Sequence, residues 1–491
     1  MPQNLKAKHK RRRKREVMNL ALLLFVLLSL LTCYILLRGQ EIVMTGQDSI
    51  LRTWFPSFFK DNATTENSKA KYQSGDQVML KNLSDVSSQL ENQYNKIGTI
   101  EKVEKKSSEQ KEYFEYTVRF SADTLIDNIS EDQLKTATSK YKVGDSIELS
   151  PTTGLNGSGK ITSVSVKETE SSSQIFYNAT IDGIGQVVDI TDSEISTIYD
   201  VPLKTDNSPE ENLKVLSDAT SAASKNNYTI LNFPSGDYKI GTSDPSKNYV
   251  ILSSNTEFRG NGVNLIVDGT MYWFGIATGS QATDGLTNFT MHDINIKAND
   301  LVNGDHFMVM ANHGNNWSVY NNTFTLVHKS GSHIFDLGGV QNATFETNQF
   351  IGYAPNITSV TSLPEDEDLH KYYAEVIQYD ASDNTGGWDA NLIKSIDPDY
   401  ATHNSEKQVS SNITVTNNKF LPYIDASGKI VAYSGTIGQH SSQVGYVTVT
   451  NNTFESPFVT RFSQSEDLWY FKPIHFPADT VSYISGNTIS S

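Results

Sequence analysis

A single cysteine, Cys33, stands in the 491 residues, inside an apolar run. One thiol builds neither a disulfide framework nor a thiolate metal site, so stability has to come from burial alone. A chain this long can bury a sufficient core without covalent staples. Basic residues are scarce beyond position 38. That first stretch holds nine of the 40 Lys and Arg but one of the 56 acidic residues, so the remainder carries a net charge near −24. Such a surface repels nucleic acid and other polyanions, and no nucleic-acid partner is expected.

What is present begins with an address. Lys8 to Arg15 reads KHKRRRKR, and 17–37 is a predominantly apolar stretch long enough to cross a bilayer. The basic block comes first, so 1–16 is expected to be a cytoplasmic tail and 17–37 a transmembrane helix. Everything after Arg38 is then extracellular, on a single-pass protein of the cell membrane. A cleaved leader would have a shorter apolar stretch ending at small residues, whereas TCYILLRGQE follows here. Residues 38–70 form a polar linker.

Two segments then repeat, 71–137 and 140–198. Lys71 to Asp76 (KYQSGD) answers Lys140 to Asp145 (KYKVGD), and a constant offset of 61 relates Gly98 to Gly159, Ile100 to Ile161, Tyr116 to Tyr177 and Leu134 to Ile195. Short alternating strands broken by Gly/Asp turns predict a small antiparallel barrel in each copy. With their GD-x-[VI]-x-L opening, the copies resemble SH3-like barrels. That resemblance implies either binding of a cell-wall polymer or a spacer.

From 205 to 491 the pattern changes. Ser208-Pro209-Glu210-Glu211 is a capping box with proline at the first helical position, opening an amphipathic helix through Leu213, Leu216 and Ala223. A segment with F-P-x-G-x-Y (Phe233 to Tyr238) follows, and this order resembles the start of the pectate-lyase-like β-helix superfamily. Asn316 to Phe324, Asn342 to Phe350, Asn412 to Phe420 and Tyr446 to Phe454 repeat one strand–Asn–x–apolar unit, the signature of a solenoid. Asn322, Asn348, Asn418, Asn452 and Asn487 are expected to form one column of left-handed turn residues, hydrogen-bonded from coil to coil. The expected fold is therefore mainly β: a right-handed parallel β-helix with an N-terminal capping helix, preceded by two small SH3-like β-barrels and one transmembrane helix.

A second strand precedes each Asn position. If Phe335, Leu337, Ile377, Tyr379, Ile437 and Ile474 face the core, alternation sends Asp336, Gln378, Asp380, His440 and His475 outward, into one groove. Glycosidic cleavage needs one carboxylic acid to protonate the leaving oxygen and a second carboxylate to activate water or attack. Asp380 and Asp336 fit those roles. Glu375 replaces one of them if the register slips by a residue, and His440 shares the proton work. Gln378, His333, His475, Trp388 and Tyr373 are the candidate substrate contacts.

The set H-x-F-D-L-G-G (333–339), Y-A-E-x-I-Q-x-D (373–380) and I-G-x-H (437–440) resembles a recurrent β-helix group of bacterial surface and secreted proteins, described as pectate-lyase-like or glycosidase-like. The paired-Asp and Gly-His-Gly signatures of polygalacturonases are missing, as is the calcium cluster with an Arg base of pectate lyases, so pectin is not the expected substrate. No cofactor or metal is expected; calcium at the acidic run 365–368 stays possible without being indicated. The reading is a glycoside hydrolase acting on exopolysaccharide, capsule or cell-wall glycan. A polysaccharide lyase and a non-catalytic glycan-binding adhesin stay open beside it.

Overall fold

The computed structural model describes residues 69–81, 88–108, 112–168, 172–276, 284–364, 369–382, 408–440, 443–462 and 469–491. The basic tail, the 17–37 run, nearly all of the linker, the acidic run 365–368 and Trp388 lie outside the described residues. Among the described residues no helix is long and apolar enough to cross a membrane.

The two repeats fold into antiparallel units with separate cores. Tyr72, Val78, Ile100 and Tyr116 centre the first, and Ile147, Ile161, Tyr177 and Ala179 the second. Their internal contacts repeat as the sequence does. Tyr72 meets Tyr116 edge-on at 5.7 Å, and Tyr141 meets Tyr177 at 5.5 Å. A buried phenol needs a polar partner: the Tyr116 hydroxyl donates to Glu131 at 2.7 Å and that of Tyr177 to Asp192 at 2.8 Å. Each GD turn is closed by its own aspartate, Asp76 accepting from Gln73 N and Asp145 from Lys142 N.

The strand Thr197–Asp200 leaves the second unit and pairs in parallel with Thr229–Asn232, the first strand of the solenoid. Arg259, one coil on, donates to both Glu148 of the second unit and Glu257 of its own strand. The capping helix, Pro209–Ala223, begins as its sequence dictates. Ser208 Oγ accepts from Glu211 N, and Glu211 accepts from Ser208 N at 2.7 Å. Leu213, Leu216, Ala219 and Ala223 turn into the solenoid core.

The solenoid winds three runs of parallel strands around that core. Asn315–Tyr320, Gln341–Glu346, Ser411–Thr416 and Val447–Thr450 stack in one run. Thr323–His328, Gln349–Tyr353, Lys419–Leu421 and Thr453–Glu455 stack in the next. Side chains in register become columns: Phe324, Phe350, Phe420 and Phe454 stack ring on ring, the last pair 4.3 Å apart. The third run is a seven-stranded sheet described below.

The asparagine column is present, with a correction to its geometry. The left-handed residues are those just before it, Asn321, Thr347, Asn417 and Asn451. They make the turn, which lets the column asparagines point inward and hydrogen-bond between coils. Asn348 is fully buried. Its Oδ1 accepts from Asn322 N at 3.0 Å, and its Nδ2 donates to Val319 O at 2.8 Å and to Asn418 Oδ1 at 3.0 Å. Replacing Asn348 by Ala strands the Asn322 amide and the Val319 carbonyl away from water. The expected loss is about 2–4 kcal/mol, checked as a lower urea midpoint at unchanged slope.

Candidate active site

The seven-stranded sheet runs Tyr249–Ile251, Thr270–Gly275, His306–Asn312, Phe335–Gly338, Glu375–Gln378, Thr436–Gly438 and Ile474–His475, all parallel. Phe335, Leu337, Ile377, Tyr379 and Ile437 are fully buried in the core, and Ile474 packs against it. The alternate set faces out. One row in register reads Phe274, Met310, Asp336, Gln378, Gly438, His475.

Simple alternation would turn Glu375 inward beside Ile377. Instead the register shifts by one, Glu375 opposite Thr436 and Ile377 opposite Ile437, with Val376 the extra residue. Gly435 makes the bulge possible, since a Cβ there would stand 2.4 Å from the Val376 side chain. The bulge brings Glu375 round to the face that carries Gln378.

Glu375 then collects imidazoles. Oε2 lies 2.6 Å from His440 Nδ1, and Oε1 lies 2.6 Å from His475 Nε2. To reach it from two strands away, the His475 ring lies over Gly438, where any Cβ would be 2.5 Å from the ring. His475 Nδ1 is 2.7 Å from the Lys472 carbonyl. A carbonyl only accepts, so His475 Nδ1 donates to Lys472 and turns Nε2 toward the Glu375 carboxyl. Burial works to raise the Glu375 pKa, but the hydrogen bonds and charges of His440 and His475 outweigh it and hold the carboxyl below its ordinary range. His333 is buried alongside, its Nδ1 donating to the Glu375 backbone carbonyl at 2.8 Å.

Asp336 is partly exposed on the same face. Burial by its surroundings, reinforced by the negative charges of Asp380 and Glu375, pushes its carboxyl up to about 8. Asp380 is held differently: Ala381 N donates to its Oδ1 at 2.8 Å and Gln439 Nε2 at 3.2 Å. The structure thus gathers Asp336, Asp380, Glu375, Gln378, His333, His440 and His475 on one face. Tyr373, partly exposed, stands 4.5 Å from the His440 ring. Trp388 lies outside the described residues.

Two aromatic residues that strand alternation does not reveal stand here as well. Tyr470 packs 4.7 Å from Tyr373, and Trp469 lies 6.2 Å from His475. Their signal in the sequence is faint: an aromatic pair a few residues ahead of the Ile474–His475 strand.

No family model matches the chain, and no curated protein matches it. Among solved structures, the surface adhesin PfbA of Streptococcus pneumoniae is similar over 60% of this chain and 62% of its own, at 16% identity and a TM-score of 0.35. A proposed glycosyl hydrolase of Parabacteroides merdae is similar over 60% of this chain and 98% of its own, at 9% identity and a TM-score of 0.28. Tailspike protein 3 of bacteriophage CBA120 is similar over 73% of this chain and 65% of its own, at 11% identity and a TM-score of 0.26. The chain spans about three fifths of the length of the adhesin. What it does has to be read from its own side chains.

Proposed function

We propose that the outer face of the seven-stranded sheet hydrolyses glycosidic bonds in an extracellular polysaccharide. The observation that carries this reading is the split between neighbouring carboxyls: Asp336 is pushed up to about 8 while Glu375 is held down. Carboxyls whose surroundings drive them apart supply acid and charge from one face at neutral pH.

Asp336, protonated at neutral pH, gives its proton to the glycosidic oxygen as the bond to the anomeric carbon breaks. Asp380, oriented by Ala381 and Gln439, is the second carboxylate. It takes the proton of the attacking water or attacks the anomeric carbon itself, and the anomer first released tells which. Burial, with the negative charges of Asp380 and Glu375, keeps the acid protonated, and His440 and His475 hold the Glu375 carboxyl in place. Gln378, buried and in register with Asp336, is on this reading the polar neighbour that hydrogen-bonds a sugar hydroxyl at the acid.

On this reading the 17–37 segment holds the enzyme at the outer face of the membrane, and the two repeats act as spacer or wall-binding units. The test is to incubate the full chain, in detergent, with exopolysaccharide, capsule and wall glycan purified from the producing cells. Shorter saturated chains with new reducing ends are expected. Products absorbing in the ultraviolet would mark a lyase instead, and unchanged glycan bound to the protein would mark an adhesin.

A further inference from the structure

The sheet carries aromatic surface on both sides of its carboxyls. On the N-terminal side Phe274 lies between Tyr272, 5.8 Å away at 25°, and Tyr249, 6.1 Å away at 24°. Phe274 is nearly buried, whereas Tyr249 and Tyr272 remain partly exposed. His306 stands edge-on to Tyr272, its Nδ1 3.2 Å from the phenol oxygen. Its Nε2 is buried and has no hydrogen-bond partner among the described residues. On the C-terminal side stand Tyr373, Trp469 and Tyr470, each partly exposed. In the registered row, Phe274 is two strands before Asp336 and His475 is two strands after Gln378. At about 4.8 Å per strand, the first platform lies about 10 Å from Asp336, and the second adjoins His440 and His475, the partners of Glu375.

One absence decides the ligand. The seven strands of this sheet contain no Lys and no Arg. A uronate-bearing chain laid across them would meet the carboxylates of Asp380 and Glu375 with no Lys or Arg in the strands to offset its own charge; Lys329, within electrostatic reach of His306, and Lys472, ahead of His475, lie in the connecting segments. Sugar rings present apolar C–H faces to aromatic surface and hydroxyls to polar groups, and the partly exposed Tyr249 and Tyr272 offer both.

We infer that this face takes a neutral polysaccharide running across the strands, seated on both aromatic platforms, and cuts it within the chain rather than at an end. The inference rests on the hydrolase reading and deepens it. An end-trimming site is closed on one side of its acid, whereas here binding surface extends both ways.

The test uses the full chain with Asp336→Asn, which binds without cutting, run in native gels containing neutral exopolysaccharide from the producing cells or the same polymer oxidised at its primary hydroxyls to uronate. Retardation by the neutral polymer is expected, with clear weakening on the oxidised one. Tyr272→Ala and Trp469→Ala, each added singly and checked for native circular dichroism, should each weaken retardation about tenfold, the scale of one lost stacking contact. In parallel, wild-type protein should lower the viscosity of the neutral polymer well before reducing ends accumulate. Stronger retardation by the oxidised polymer, no effect of either aromatic substitution, or reducing ends released without a fall in viscosity would each overturn the inference. Retardation that depends on Tyr272 and Trp469, with no turnover by wild type, would sink the hydrolase reading while leaving the neutral-glycan platform standing.

Discussion

Asp336→Asn is expected to reduce polysaccharide turnover by about 10²–10⁴-fold while making the protein more stable. The first effect follows from removing the general acid, whose proton has no substitute at the glycosidic oxygen. The second follows from linkage. The folded carboxyl is raised to about 8 from 3.8, so between those values the folded state holds a proton that the unfolded state has released. Stability therefore falls as pH rises through that window, and stays reduced above it. Asparagine never ionises and escapes the penalty. The variant should match wild type near pH 4 and exceed it at pH 8 by about 2–4 kcal/mol, read from urea unfolding at both values. In wild type, kcat should fall as pH passes 8, because the acid is then ionised. A variant that is inactive yet no more stable at pH 8 would show that Asp336 is not held protonated by its site.

Glu375→Gln is expected to destabilise the fold by about 3–5 kcal/mol, because it removes the buried carboxylate on which His440 and His475 both converge. The pH dependence has the opposite sign to that of Asp336. The Glu375 carboxyl is held below its ordinary 4.5, so its contribution is present above that value and lost as pH falls through the depressed folded value. The deficit of the variant should accordingly shrink in acid. A second readout separates this from general loosening. Glu375 is one of two charges that raise Asp336, so the high-pH limb of residual activity should move toward lower pH. A limb that stays in place would mean the two carboxyls do not sense one another.

The core side of the candidate site was legible because it depends on period alone. Phe335, Leu337, Ile377 and Tyr379 alternate with polar neighbours, and alternation places Asp336, Gln378 and Asp380 on the outer face as found. Glu375 was legible only as an exception. Its orientation depends on Val376 bulging against Gly435, a residue sixty positions away with no side chain to obstruct it. His475 reaches Glu375 for a similar reason, across Gly438. Local pattern specifies which residues fill a strand; it does not specify which glycine in the next coil leaves room for them. The asparagine column shows the same limit on a smaller scale. Its hydrogen bonds were foreseen, but the left-handed turn sits one residue earlier, because an inward-pointing amide cannot also make the turn.

The junction between the second repeat and the solenoid has a mechanical meaning. Thr197–Asp200 is joined to Thr229–Asn232 through four registered residue pairs, all parallel. Tension transmitted along the chain from the repeat pulls this strand lengthwise, so the rungs are loaded in shear and share the force instead of opening one after another like a zipper. Arg259, bonded to Glu148 across the joint, resists twisting about the same line. A viscous polymer dragging on the solenoid would therefore meet a stiff coupling that yields only when its rungs break together.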